Sequence, residues 1–371
     1  MNPILFTVVL VGVFALLIMY IQKRFVSHLH LRERIKKTLT VFLYVNLLGI
    51  FLYALGRYFI DFPNWLYFLL SLPIGVLFLL FCTTLIYDIS RVVLVRAPLR
   101  EERRRFFKRS LDLSSLVVAS SITAKAIYDA RHVTLEKVNV KLSNLKKPYK
   151  ILQLSDVHIG GIIDKNFIAK IVSRVNACQP DLVVITGDLV DTDMDKASEA
   201  LGELKNLKSK YGTYFIVGNH EYFHNVEKII ATVKSLGIKV LENDNLYIGE
   251  KGEGFNLVGV YDLFGYRVET HAPNVTLALQ NRDEESPTVL LAHQPKFIEE
   301  VPSGVDLMLS GHTHGGQLYP FKALVKLQQG YISGLHQHND ELQIYINKGT
   351  GFWGPPMRIG ASAEITEILI S

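Results

Sequence analysis

Cysteine is scarce in this chain of 371 residues: there are two, Cys82 and Cys178. Cys82 lies in an apolar run and Cys178 precedes a Pro-Asp turn, so a disulfide framework is excluded as the basis of the fold. No Cys-x-x-Cys pair occurs, which excludes a thiolate zinc site. Charge is missing from residues 3–21 and 65–87, and residues 38–60 carry only Arg57 near their end. Each of these runs can cross a hydrocarbon core of about 30 Å as a helix, and their length argues against buried helices of a soluble domain. Lys and Arg are missing from the turn at 61–64, and there is no internal repeat to signal a solenoid.

What is present divides the chain in two. Hydrophobic residues make up 49% of the sequence and concentrate before residue 130. Residues 1–129 hold 16 Lys+Arg and 7 Asp+Glu, a balance of +9, and the remainder holds 24 and 28, a balance of −4. The predicted domains are therefore a membrane region over 1–129 and a mildly acidic globular domain over 130–371. That acidic balance implies no nucleic-acid partner, and no protein partner is identifiable. The lipid bilayer is the expected partner of the first region.

Six basic residues fall in 22–37 and eight in 88–110, so the positive-inside rule places both segments in the cytoplasm. Tyr58, Trp65 and Tyr67 flank the 61–64 turn as interfacial aromatics do. A weaker fourth run, 111–128, reads as a span, a signal-like segment or an interfacial helix. Arg103-Arg104-Arg105-Phe106-Phe107-Lys108 before it resembles a twin-arginine export signal, and a basic juxtamembrane loop is the alternative. If 111–128 spans, the globular domain is extracytoplasmic, on the inner membrane of a cell; if not, it faces inward.

From residue 132 the pattern alternates apolar runs with amphipathic segments. Edge strands are predicted within 133–142. Further strands are predicted at 149–154, 181–185, 214–217, 255–260, 288–291, 305–309, 342–346 and 365–370, with helices at 167–175, 201–207 and 226–236. This is an α/β (α+β) pattern of two packed sheets flanked by helices.

Five of the strand-to-loop junctions carry ligand-type residues. They are Asp156-Val-His158, Gly187-Asp188-Leu-Val-Asp191, Gly218-Asn219-His220-Glu221, His293, and Gly311-His312-Thr-His314. Strand ends converge at one edge of a sheet, where open α/β folds place their sites. Carboxylate, imidazole and amide oxygen without thiolate suit Mn, Zn, Fe or similar ions.

These ordered blocks resemble the calcineurin-like metallophosphoesterase superfamily over residues 132–371. The ending Asn347-Lys-Gly-Thr-Gly-Phe-Trp-Gly-Pro-Pro-Met-Arg358 resembles its YkuE/YaeI-like membrane-associated branch of transmembrane proteins with a metallophosphoesterase domain. The resemblance implies a four-layer α-β-β-α sandwich, two divalent metal ions and hydrolysis of a phosphoester, a phosphodiester more than a monoester. It implies Asp156, His158, Asp188 and His314 on one metal, with Asp188 bridging to a second held by Asn219, His293 and His312. Gly259-Val-Tyr-Asp262 departs from the two successive acidic residues of many relatives.

Asn219 and His220 are adjacent, so their side chains diverge. His220 is expected to protonate the leaving-group oxygen or to stabilise charge on the phosphoryl group. Asp191 would orient His220, with Glu221 the alternative orienter and a helix-capping role the alternative for Asp191. Arg358, after a Pro-Pro corner, would pair with a substrate phosphate or form a surface salt bridge. Gln317 points into the site or shapes a turn. His224, His271, His336 and His338 match no motif and read as loop residues. The membrane region suggests a lipid or envelope substrate. A non-enzymatic metal-dependent scaffold is the competing reading, and a transport unit is disfavoured by the lack of paired intramembrane charges.

Overall fold

The computed structural model describes residues 3–371. The chain forms two compact units, one reaching to Tyr128 and including Gly354–Met357, the other Asp129–Trp353 with Arg358–Ser371.

The first unit is built from four helices: α1 (Pro3–Arg24), α2 (Glu33–Tyr58), α3 (Asn64–Arg96) and α4 (Glu101–Arg131). All four are long and apolar enough to cross a membrane, α4 the least apolar of them. Their apolar residues point both ways. Phe14, Ile18, Ile21, Leu43, Ile50 and Leu77 pack together, while Leu16, Met19, Val41 and Ile86 are exposed. Gly49 lets α2 approach α3 closely, since a Cβ there would lie 2.8 Å from the Pro73 ring. Two aspartates of the unit find partners on other helices or loops. Arg24 meets Asp88 at 2.6 Å. Asp112 accepts from the His30 backbone N–H, His30 Nδ1–H and the Tyr87 hydroxyl, each at 2.8 Å. The Arg103–Lys108 stretch lies inside α4, which continues unbroken through the 111–128 run.

The second unit is mixed α/β with two six-stranded sheets. The chain lays down β1 (Thr134–Val140), β2 (Tyr149–Leu154), β3 (Leu182–Thr186), β4 (Thr213–Ile216) and β5 (Lys239–Val240). It then builds β6 (Asp244–Ile248), β7 (Phe255–Gly259), β8 (Thr288–Leu291), β9 (Leu307–Ser310), β10 (Gly334–Gln337) and β11 (Gln343–Ile346), and returns with β12 (Glu364–Ile370). The strand orders are β1-β12-β2-β3-β4-β5 and β10-β11-β9-β8-β7-β6. β2 through β5 are mutually parallel, as are β7, β8, β9 and β11. The linking helices in the first sheet are α5 (Lys165–Ala177), α6 (Met194–Leu201) and α7 (Val226–Ser235).

Successive strand residues point to opposite faces, and here both faces are covered. Leu182 and Val184 of β3 point to the core between the sheets, with Ile151, Ile216, Leu257, Val289 and Leu309. Val183 and Ile185 point outward, against Ile168 and Val172 of α5 and Ile229 and Val233 of α7. Beyond the second sheet, Val258, Leu290, Met308 and Ile344 pack on Phe297 and Ile298. The result is the four-layer arrangement. Burying each such side chain is worth about 1.5–3 kcal/mol. Asp164 and Asn225 cap α5 and α7 by accepting from the N–H of Phe167 and Lys228.

The expected helix at 201–207 is displaced: α6 ends at Leu201 and a 3-10 turn, Gly202–Asn206, follows. β5, β6 and β10 escape the sequence pattern because they are short edge strands with few buried residues. The register that matters is at the strand ends. Leu154 pairs with Ile185 and Thr186 with Ile216, so the loops after β2, β3 and β4 leave the sheet side by side. In the second sheet Leu291 pairs with Leu309, aligning the loops after β8 and β9.

Candidate metal centre

Each junction loop turns sharply to aim its side chain. Asp156, His158, Asp188, His312 and His314 all have φ between 49° and 67°, the left-handed region. That conformation costs a non-glycine residue about 1 kcal/mol or more and clusters where function over-determines it. Glycines make the close approach possible. A Cβ on Gly187 would lie 2.5 Å from His293 Nδ1, and one on Gly311 would collide with Ser155 and Asp156.

Two donor sets result, Asp156 with His158 and His314, and Asp188 with His293 and His312, the ligand atoms of each within 4.8 Å of one another. In the first set His158 Nε2 and His314 Nε2 are 3.0 Å apart, and His314 Nε2 is 3.4 Å from Asp156 Oδ1. Asp188 Oδ2 lies between the sets, 3.2 Å from His293 Nε2 and 3.9 Å from His158 Nε2. Its other oxygen, Oδ1, accepts from the His220 backbone N–H at 2.8 Å.

The chemistry of these atoms fits a cation. Asp156 Oδ1, Asn219 Oδ1 and His293 Nε2 are buried without a hydrogen-bond partner. Buried polar atoms without a partner are rare, and these come from three different strand ends. Burial pushes His158 and His312 down to about 3 and His314 well below its ordinary value, so all three imidazoles are neutral donors. Burial would raise Asp188, but His293 and His220 outweigh it and hold the carboxyl well below its usual range. Neutral imidazole and ionised carboxylate are the forms that bind metal. His293 is the exception: burial opposes its charge, but Asp188 and Asp156 raise it well above its ordinary value, so it would release a proton on binding a cation. Burial raises Asp156 to about 6, a charge the site must stabilise. The second ring nitrogen of His293 is fixed as well: Nδ1–H donates to the Thr186 carbonyl at 2.7 Å. Ser155 Oγ and the His312 N–H both donate to Asp156 Oδ2, at 2.6 and 2.9 Å.

His220 lies beside the donor sets, its Nε2 3.9 Å from Asp188 Oδ2. Its Nδ1–H donates to Asp191 Oδ1 at 2.7 Å. Burial opposes its charge, but Asp188 and Asp191 outweigh burial and push it up to about 9. Glu221 is not the orienter. It is fully buried, and its carboxylate accepts from the N–H groups of Asp188, Leu189, Val190 and Gly218 at 2.6–3.0 Å. It clamps the loop that carries Asp188, a role that a motif cannot reveal because four backbone groups make it.

Arg358 corrects the sequence expectation. It is fully buried, and its five N–H groups go to the carbonyls of His314, Lys348, Gly349, Gly351 and Ala361 and to His314 Nδ1. None remains for a substrate phosphate; Arg358 holds the His314 loop in place. Gln317 likewise serves the backbone, bonding the N–H and carbonyl of Trp353. Asp262 is buried and accepts from the Phe264 N–H and Gln294. Sequence reasoning missed His224, whose Nε2 lies 3.6 Å from Asp191 Oδ1, and the rings of Phe223 and Trp353, set edge-on to His220 at 5.2 and 5.9 Å.

Comparison with known proteins identifies the family. Residues 149–316 match the calcineurin-like phosphoesterase family. An uncharacterized metallophosphoesterase of Helicobacter pylori is 38% identical over 306 residues, 82% of each chain. Another, of Campylobacter jejuni, is 33% identical over 370 residues, 98% of this chain and 97% of that one. A transmembrane protein with metallophosphoesterase domain from Danio rerio is 36% identical over 248 residues, 64% of this chain and 56% of that one. The chain therefore belongs to the calcineurin-like metallophosphoesterases, a family of phosphoester hydrolases that use divalent metals.

Proposed function

We propose that the protein is a membrane-anchored phosphodiesterase with a two-cation centre. The observation that carries this reading is Asp188 Oδ2, one oxygen lying 3.2 Å from His293 Nε2 of one donor set and 3.9 Å from His158 Nε2 of the other. Asp156, His158 and His314 would hold one cation and Asn219, His293 and His312 the other, with Asp188 shared. Ions of Mn, Zn, Fe or similar type so held would polarise the phosphoryl group and make hydroxide available near neutral pH.

The chain's own groups do the rest. Asp188 is aimed by its bond to the His220 N–H and by the Glu221 clamp on its loop. His220 keeps one N–H on Asp191 and turns Nε2 toward the centre, where its proton can pass to the leaving-group oxygen. Asp191 fixes the ring and sustains its charge, and is a positioning residue. Arg358 spends every donor on protein acceptors and so offers none to the additional anionic oxygen of a monoester. That favours a diester, which carries one negative charge on the reacting phosphorus. A substrate in the lipid or cell envelope fits the four membrane-capable helices. Orientation follows from α4: as a span, it carries the second unit to the side opposite the basic segments 22–37 and 88–110.

The test is hydrolysis of bis-p-nitrophenyl phosphate by the full chain in detergent with Mn²⁺, beside p-nitrophenyl phosphate and a His220→Ala variant. The reading expects faster hydrolysis of the diester and a large loss in the variant. Equal rates for the two proteins would support a scaffold instead.

A further inference from the structure

Among the described residues, the most exposed large apolar side chain lies outside the four long helices: Leu327, 85% exposed. It sits on α10 (Phe321–Gln329), which follows the His312–His314 loop; the intervening short helices are α8 (Phe264–Val268) and α9 (Val275–Ala278). α10 is inverted relative to a helix of a soluble domain. Its buried residue is polar: Gln329 accepts from the Lys296 N–H and donates to Gln294, tying the helix end to the domain. Its apolar residues Phe321, Leu324 and Leu327 are exposed, and Tyr319 just before it is 58% exposed. A surface helix in water shows the opposite pattern, and contiguous exposed apolar surface marks an interaction site.

The local geometry fixes this presentation. Gly316 has φ 83°, and a Cβ there would lie 2.5 Å from the Lys322 backbone, so α10 starts hard against the ligand loop. Gln317, one residue on, holds the Trp353 backbone. Trp353 and Phe223 are each about half exposed and stand edge-on to His220. The segment that leads into α10 thus also holds the backbone of Trp353 at the rim of the candidate centre.

We infer that α10 is an interfacial helix that docks on an anionic lipid surface, seating the mouth of the centre at the bilayer. Two features select this occupant. The helix carries Lys322 and Lys326 and no acidic residue, the composition of helices that lie in the headgroup region of anionic membranes. The same chain has four membrane-capable helices, which keep the domain within reach of a bilayer. The inference rests on reading those helices as spans.

The experiment uses the full chain with Cys82 and Cys178 replaced by Ala, reconstituted in vesicles of phosphatidylcholine and phosphatidylglycerol. Single cysteines at Leu327, Leu16 and Glu199 carry an environment-sensitive fluorophore. Nitroxide-bearing lipid and aqueous iodide serve as the two quenchers. Strong lipid quenching at Leu327, greatest with the nitroxide high on the acyl chain and weakened in a Leu324→Glu/Lys326→Glu background, supports docking. Iodide quenching at Leu327 equal to that at Glu199 overturns it. So does ready disulfide formation between Leu327→Cys chains, which makes the helix a contact between copies. The Leu16 label separates the two readings: without lipid quenching there, it is the anchoring that fails. Hydrolysis of bis-p-nitrophenyl phosphate stays unchanged in the Leu324→Glu/Lys326→Glu protein, because neither residue belongs to the centre.

Discussion

Each unit of the molecule buries an aspartate within a cluster of polar side chains, and the two clusters differ in how their polar atoms are satisfied. In the helical unit, Asp112 receives three hydrogen bonds from His30 and Tyr87. In the sheet unit, Asp156 Oδ1, Asn219 Oδ1 and His293 Nε2 are buried without a hydrogen-bond partner. A buried polar network that is closed on itself holds elements together. One that is left with several unpartnered atoms asks for a cation. Burial alone does not separate these roles, and neither does residue type, since each cluster contains Asp and His.

That contrast can be broken by substitution. The largest effect is expected from Asp188→Asn, which removes the shared carboxylate oxygen: metal content measured by mass spectrometry falls, and diester hydrolysis drops by more than about 100-fold. His220→Ala should cost about 100- to 10,000-fold in kcat while metal content stays at the wild-type level. A parallel loss of metal would move His220 into the ligand set. Arg358→Ala leaves five buried carbonyls short of a donor and should cost about 3 kcal/mol or more in thermal unfolding. Were Arg358 a substrate contact instead, KM would rise and stability would not change.

Smaller effects sharpen the comparison. Asp188 and Asp191 raise His220 against burial, and of the two Asp191 is not a ligand of the proposed cations, so it keeps favouring the acid form, which is lost as pH rises. Asp191→Asn removes one supporting carboxylate. The alkaline limb of the kcat profile should then move to lower pH, with about a 10-fold loss at neutral pH. Asp112→Asn should lower the unfolding temperature by an amount worth about 1–3 kcal/mol, with metal content unchanged.

How much of this is legible in the sequence depends on whether a role belongs to a side chain or to its surroundings. The strands that carry ligands are apolar runs buried on both faces, and each is followed closely by a residue whose type announces metal chemistry. Hence the junctions at Asp156, Asp188, Asn219, His293 and His312 stand out. Arg358 reads as a substrate contact because an arginine after a Pro-Pro corner gives no sign that backbone carbonyls from two loops will close around it. Glu221 reads as an orienter of His220 because adjacency is visible and the N–H groups of a distant loop are not. His224 reads as an ordinary loop residue, though the fold brings it beside Asp191. The edge strands β5, β6 and β10 lack the buried period that marks their neighbours.

The central claim is that one oxygen of Asp188 is common to two cations. Titration of the full chain with Mn²⁺, followed by electron paramagnetic resonance, tests it most directly. The account predicts an exchange-coupled Mn pair as the second equivalent binds, and its disappearance in Asp188→Asn. Magnetically isolated Mn at every loading of the wild-type protein would contradict it.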